Sequence, residues 1–328
     1  MRMGVKFGLL LAVVLALLVL LPSPEGAFGI PTGIPDSIAG LGDSITRAMD
    51  ADGNPAHYGD QPQYSWTTGD SSAVESHYYR IRHSWSPITG HNYNDAVSGA
   101  KMIALNGQAQ TAVSQAVEYV TILMGANDVC TATEGTMTTV DAYRTQFHQA
   151  MDTLTTNLPN ARIFVASIPD IYQLWVILHD NPTAVAVWNA GSICQSLLAN
   201  PTSEAQADVD RRARVRQRNI DFNTVLSEVC ALHPKCRFDN NAVFDGGIEV
   251  SQVSTFDYFH PSITGQANIA SVTWDATFDF PLPVGGVAEL PDASDSSAPD
   301  YVLVAVLAGV ALVTLGAGGW YARRRRLG

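Results

Sequence analysis

Asp257 and His260 stand three residues apart in Asp257-Tyr258-Phe259-His260-Pro261, and a serine stands far upstream in Gly42-Asp43-Ser44-Ile45-Thr46. A serine hydroxyl is a weak nucleophile until a neutral imidazole takes its proton, and the imidazole in turn needs a carboxylate to fix its tautomer and stabilise the imidazolium. Three-residue spacing in a turn lets Asp257 and His260 point to one side, as an oriented acid-base pair must. Gly99 and Asn127 each follow a candidate strand. A backbone amide at glycine and a side-chain carboxamide are donors that an acyl-transfer oxyanion requires, and neither adds charge. A helix opening after Ser44 would aim its N-terminus at the same developing charge. Each cluster alone is ordinary turn chemistry. Together, they point to acyl transfer on Ser44. Two other readings of the serine region fail on single residues: Thr46 replaces the last glycine of a GxSxG elbow, and Ile45 occupies the third glycine of a dinucleotide fingerprint.

Such groups must be presented at the carboxyl ends of strands, and the chain supplies strands that do this. Short β-rich runs alternate with amphipathic helical stretches between residues 34 and 283, which predicts a parallel sheet covered by helices on both faces. Strands are expected over 37–41, 92–97, 119–124 and 162–168, the third (YVTILM) being the clearest buried run. Helices are expected over 108–118, 140–157, 203–232 and 262–277. Residues 51–87, rich in Gly, Ser, Tyr and Trp without a period, read as a long loop. Within that stretch, Asp50-Ala51-Asp52-Gly53-Asn54 lacks the spacing and the closing Glu of a calcium loop and reads as a solvated turn. Arg211, Arg212, Arg214, Arg216 and Arg218 among Asp208, Asp210 and Asp221 read as a charged, solvent-facing helix surface.

The ordered set of GDS, a later strand-end Gly, Gly125-Ala126-Asn127-Asp128 and Asp257-x-x-His260-Pro261 resembles the GDSL or SGNH hydrolase superfamily, and the match runs from Leu41 to Trp274. That resemblance implies a three-layer α/β/α, flavodoxin-like fold and no metal or organic cofactor. It further implies Ser44 as nucleophile, His260 as general base and then acid, and Asp257 as the carboxylate that orients His260. Ser44 N–H, Gly99 N–H and the Asn127 side chain would form the oxyanion hole. Tyr64-Ser65-Trp66 ahead of Gly69-Asp70, Cys130 after the GAND block, and Trp274 in the last helix are similar to the phospholipase B branch, whose members hydrolyse lipid acyl esters.

The ends concern location. Arg2 and Lys6 precede an apolar run from Phe7 to Leu21, too short at about 22 Å to span a bilayer comfortably, so residues 1–27 are expected to be a signal peptide, cleaved or retained. Residues 28–284 form the hydrolase domain and residues 285–300 (GGVAELPDASDSSAPD) a flexible acidic linker. Residues 301–322 are expected to cross the membrane as a helix, since Val302 to Trp320 carries no charge and Arg323 to Arg326 follow directly; residues 323–328 would be a basic cytoplasmic tail. Leu290-Pro291-Asp292-Ala293-Ser294 resembles in part the sorting signal of sortase substrates, but Ala293 and Ser294 replace its Thr and Gly, and a plain anchor is the reading adopted. The protein is thus expected to be exported, with its domain outside the cell.

The formal charge of -12 hides this division: residues 27–300 carry 13 basic and 30 acidic groups. So acidic a body repels phosphate backbones, which excludes nucleic acid as a natural partner. With 46% hydrophobic and 15% charged residues, the chain has the means to build a core. Cys130, Cys194, Cys230 and Cys236 all fall in the exported part and suit two disulfides, for which three connectivities are open. The short gap between Cys230 and Cys236 favours that pair, leaving Cys130 with Cys194; no CxxC or HExxH spacing supports a zinc site. The expected activity is hydrolysis of lipid or other acyl esters by a membrane-held monomer. Deacetylation of a surface polysaccharide is the enzymatic alternative, and a surface-binding module without chemistry the non-enzymatic one.

Overall fold

The computed structural model describes residues 33–281. The expected signal peptide, linker, transmembrane helix and basic tail lie outside the described residues. Among the described residues no helix is long and apolar enough to cross a membrane.

Five parallel strands form one sheet: β1 (Ile38–Gly42), β2 (Asn92–Asn94), β3 (Tyr119–Leu123), β4 (Arg162–Val165) and β5 (Cys236–Phe238), in the order β2-β1-β3-β4-β5. This is the doubly wound order whose direction reverses between β1 and β3, and the crevice beyond the carboxyl ends of those strands is where such sheets bind ligands. Every residue of β1 and β3 is buried. Successive strand residues face opposite sides. Tyr119 and Thr121 reach His77, Thr277 and Thr67 on one side, while Val120 and Ile122 are as fully buried on the other. Both faces of the sheet are therefore covered, as the α/β expectation requires.

The helices are α1 (His77–Ser84), α2 (Leu105–Ser114), α3 (Ala126–Val129), α4 (Val140–Asn157), α5 (Tyr172–Leu178), α6 (Pro182–Gly191), α7 (Gln195–Leu198), α8 (Gln206–Cys230), α9 (Ala242–Asp245) and α10 (Ile263–Ala276). On one side α2, α4 and α8 pack side by side. Helix α4 follows its sequence pattern: Thr139 caps it, and Tyr143, Phe147, Ala150, Met151 and Leu154 form its buried stripe. Helix α1 corrects the reading of residues 51–87 as loop throughout. Ser76 accepts a hydrogen bond from Tyr79 N–H as its cap, and the buried face includes a histidine rather than an aliphatic stripe.

That histidine, His77, is fully buried between Tyr119 Oη at Nδ1 (2.9 Å) and Thr273 Oγ1 at Nε2 (2.9 Å). Burial, aided by the nearby charge of Arg80, pushes its pKa down to about 3. The folded protein therefore binds fewer protons here than the unfolded chain between pH about 6.5 and about 3, and the contribution of His77 falls as pH drops through that window, by up to about 1.4 kcal/mol per pH unit. Urea unfolding of the protein and of His77→Gln at pH 7.5 and 5 should show the advantage of the parent shrinking at the lower pH. A difference that stays constant would contradict the buried neutral imidazole.

The arginine run is a solvent face only in part: Arg214 is exposed and Arg216 partly so, while the others turn inward. Arg212 is buried, its guanidinium 4.3 Å from the Trp175 ring centroid and bonded to Ser203 O. Arg211 donates to the carbonyls of Gln195, Ser196 and Ala199, Arg214 pairs with Glu134, Arg216 with Asp170, and Arg218 bonds Thr138 O. Helix α8 thus fastens the loops after β3 and β4. Two disulfides, Cys130–Cys194 and Cys230–Cys236, match the favoured connectivity. The first crosslinks the residue just after α3 to the residue just before α7, and both fit an extracellular domain.

Candidate active site

Ser44 is placed by a turn that only glycine permits. Gly42 ends β1 at φ +153°, and a Cβ there would lie 2.3 Å from Leu123 O of the neighbouring strand. Gln108 of α2 holds this glycine from both sides, accepting from its N–H and donating to its carbonyl, each at 2.8 Å. Asp43 Oδ1 then accepts Ile45 N–H (2.9 Å), and Gln266 of α10 donates to Ile45 O (2.8 Å) while accepting Trp66 N–H. The expected helix after Ser44 does not form. Residues 44–52 are a run of turns with Ala48 at φ +51° and Asp50 at φ +53°, and Met49 N–H reaches back to Ser44 O across five residues. The turn after Ser44 therefore supplies no helix dipole of its own.

The acid-base pair arrives from the far end of the chain. Ser44 Oγ–H donates to His260 Nε2 at 2.8 Å, and His260 Nδ1–H donates to Asp257 Oδ2. Asp257 Oδ1 accepts Phe259 N–H (2.9 Å) and His260 N–H (3.0 Å), so one carboxylate fixes both the backbone and the ring of the histidine. The loop is held in turn by Trp188 Nε1 on Tyr258 O and by Ser254 N–H on His260 O. Burial raises the Asp257 pKa, but the hydrogen bond and charge of His260 outweigh it and hold the group below the usual carboxylate range. Burial likewise disfavours a charged His260, yet the Asp257 hydrogen bond and the charges of Asp257, Asp43 and Asp50 hold its pKa above the ordinary imidazole value. Imidazole in this setting is a stronger base than in water. It also becomes protonated, and loses base function, at a higher pH.

Asn127 is the second residue of α3, which follows a second obligatory glycine. Gly125 has φ +136°, and a Cβ would meet Ile168 Cδ1 at 2.4 Å and Tyr143 Oη at 2.8 Å. One Asn127 Nδ2–H bonds Ala100 O at 3.0 Å, leaving the other free for a ligand. Its neighbour Asp128 has a structural task that the sequence reading missed, for its carboxylate accepts Met102 N–H (2.8 Å) and Thr138 Oγ–H (2.7 Å) and so ties the loop after β2 to α3. Ser44, Asn127 and His260 line one cleft. Gly99, at φ +79° in the loop after β2, lines a neighbouring depression with Asp95, Ser98 and Gln108 and is not among the residues lining that cleft.

The cleft is open to solvent at its mouth. Beyond the serine its walls are apolar: Pro169 and Ile171 of the loop after β4, Leu174 of α5, Ile248, and Ile269 and Val272 of α10. None of these positions was singled out in the sequence. Among the described residues, Asp50, Asp257 and His260 form the one group whose potential metal-ligand atoms converge, all within 4.8 Å of one another. Both ring nitrogens of His260 are already engaged, one by Asp257 and the other by Ser44.

The sequence model of the family described as GDSL-like Lipase/Acylhydrolase matches residues 38–272. The chain belongs to that family. The GDSL-like domain is accordingly an ester hydrolase domain, and its matched region spans β1 to α10. Solved structures similar to this GDSL-like protein include an extracellular lipase from Streptomyces rimosus, 16% identical over 74% of this chain and 99% of that one with a TM-score of 0.40. A family 3 carbohydrate esterase from Clostridium thermocellum is 15% identical over 73% and 94%, TM-score 0.43. LAE5, an alpha/beta hydrolase from the metagenome of Lake Arreo, Spain, is 15% identical over 76% and 97%, TM-score 0.45. No curated protein has significant sequence similarity to this GDSL-like chain.

Proposed function

We propose that this GDSL-like hydrolase cleaves lipid acyl esters outside the cell through an acyl-enzyme on Ser44. The supporting observation is that the Ser44–His260–Asp257 relay opens into an apolar cleft. Ser44 Oγ attacks the ester carbonyl as its proton passes to His260 Nε2, and the free Asn127 Nδ2–H meets the carbonyl oxygen as it becomes an oxyanion, with Ser44 N–H as a further donor; Gly99, which lines the neighbouring depression, would join them only if its loop moved toward the cleft. The tetrahedral adduct collapses with departure of the alcohol, which takes the proton from Nε2. A water then gives a proton to the same nitrogen while its oxygen attacks the acyl carbon, and a second collapse returns the proton to Ser44 Oγ and releases the acid. Throughout, Asp257 keeps the ring oriented and balances the imidazolium. The apolar walls hold the acyl chain, and the 301–322 segment holds the enzyme beside its substrate.

A series of p-nitrophenyl esters from acetate to palmitate tests this reading. Each methylene buried in an apolar site contributes about 0.8 kcal/mol, so octanoate should exceed acetate in kcat/KM by more than about tenfold even if a third of that value is realised. Leu174→Trp, which fills the cleft, should move the optimum to shorter chains. Hydrolysis confined to acetate would reject the lipid reading in favour of a deacetylase.

A further inference from the structure

The turn of residues 50–54, which reads as solvated in the sequence, carries its first residue into the interior. Asp50 is buried in the left-handed region at φ +53°, a conformation that favours Asn, Asp and Gly over other residues. Gly59 grips it from both sides: Asp50 N–H donates to Gly59 O (2.9 Å), and Gly59 N–H donates to Asp50 Oδ1 (2.7 Å). Its carbonyl accepts Ser254 Oγ–H at 2.6 Å, and the N–H of the same Ser254 bonds His260 O at 2.8 Å. A single residue thus binds the Asp50 turn to the His260 loop. Ala51 O adds a tie to the start of α10 by accepting Ile263 N–H. These bonds place the Asp50 carboxylate where a ligand atom from each of Asp50, Asp257 and His260 lies within 4.8 Å of the other two.

We propose that Asp50 is a second carboxylate partner of His260, a positioning residue that stabilises the imidazolium formed during turnover without touching substrate. The proposal rests on His260 being the base. Three acids face that ring: Asp257 from its own loop, Asp43 from the turn after β1, and Asp50 from the turn beyond it. Asp50 itself faces Asp257, His260 and Asp52, of which Asp52 is engaged by His57 at 2.6 Å. Burial raises the pKa of Asp50, and proximity to Asp257 raises it further, while His260 and the Gly59 N–H oppose this. When the ring gains a proton, the repulsion between the two nearby carboxylates turns into shared attraction to the imidazolium.

Asp50→Asn is the informative variant, because Asn tolerates the left-handed backbone and retains an acceptor for Gly59 N–H. Removing the charge makes the imidazolium less stable, lowers the His260 pKa, and keeps the neutral base available to lower pH. The acidic limb of kcat/KM should move down by about one pH unit, with a several-fold lower plateau, and Asp50→Glu should bring the limb back toward the parent. Asp50→Ser, smaller and still an acceptor, should move the limb the same way, with melting curves confirming that each variant folds. A limb that coincides with the parent in the folded variants overturns the proposal, as does failure of both Asn and Ser variants to fold, which would make Asp50 a folding residue only. His260→Gln separates the two levels: substantial activity there would reject His260 as base, whereas an inactive His260→Gln beside an unmoved Asp50→Asn limb rejects Asp50 alone.

Discussion

Ser44→Ala should fold normally and lose ester hydrolysis by about 10⁶-fold, the scale on which nucleophile removal acts in triad enzymes. The expectation of an intact fold follows from what the hydroxyl touches. Its oxygen bonds His260 Nε2, whereas the turn that carries it is held by Gln108, Gln266 and the backbone. Deleting Oγ leaves one imidazole nitrogen at a cleft that water can enter. A fluorophosphonate should label the parent covalently and fail to label the variant, and the melting temperatures should agree within a few degrees. Comparable turnover or labelling in Ser44→Ala would remove the serine from the mechanism altogether.

Asn127→Ala should lower kcat by about 10²- to 10³-fold with little change in KM, because the donor it removes acts on charge present in the transition state and much less in the bound ester. The corresponding loss is about 2.7–4 kcal/mol for a single oxyanion donor. Asn127 also bonds Ala100 O, so part of any defect could come from a loosened loop. Asp128 limits that contribution, since its own bonds to Met102 and Thr138 fasten the same segment. Asn127→Asp tests the separation of roles: it has nearly the same shape but presents an ionised carboxylate to a developing anion, so its kcat should be no better than that of the alanine variant. Retention of near-parent kcat by either variant would exclude Asn127 as an oxyanion donor.

The groups proposed to do chemistry were more legible than the groups that arrange them. Ser44, Asn127, Asp257 and His260 each sit in a short local pattern, and the fold brings Ser44, Asn127 and His260 to one cleft with Asp257 behind the histidine. Strand β3 and helix α4 were also plain, one as an uninterrupted apolar run and the other as a capped amphipathic repeat. Strand β5 was not, because Cys236–Phe238 is three partly exposed residues with no apolar run to mark it. Expected strand 92–97 shortens to Asn92–Asn94, although Asp95 and Val97 still donate backbone hydrogen bonds to Gly40 and Gly42. The supports are harder to read for a physical reason: their partners are distant in sequence. Gln266 holds Trp66 across 200 residues and Ile45 across 221, and Ser254 reaches Asp50 across 204. No local periodicity encodes such pairings. Asp50, Arg211 and Arg212 illustrate the resulting error, since charged residues in polar runs default to a solvent-facing reading and only the folded structure reveals the carbonyls and N–H groups that receive them.

Ser44 and His260, the proposed nucleophile and base, are 216 residues apart in the chain. A growing polypeptide holds its serine long before it holds a histidine to activate it, and nearly all of the domain must be synthesised before the two can meet. Nascent chains that stop before Asp257 lack the relay, whereas a cut between Cys130 and Cys194 leaves the two parts joined by their disulfide. The serine and the imidazole that the proposed relay joins thus come together only in a chain made almost to the end of the described domain.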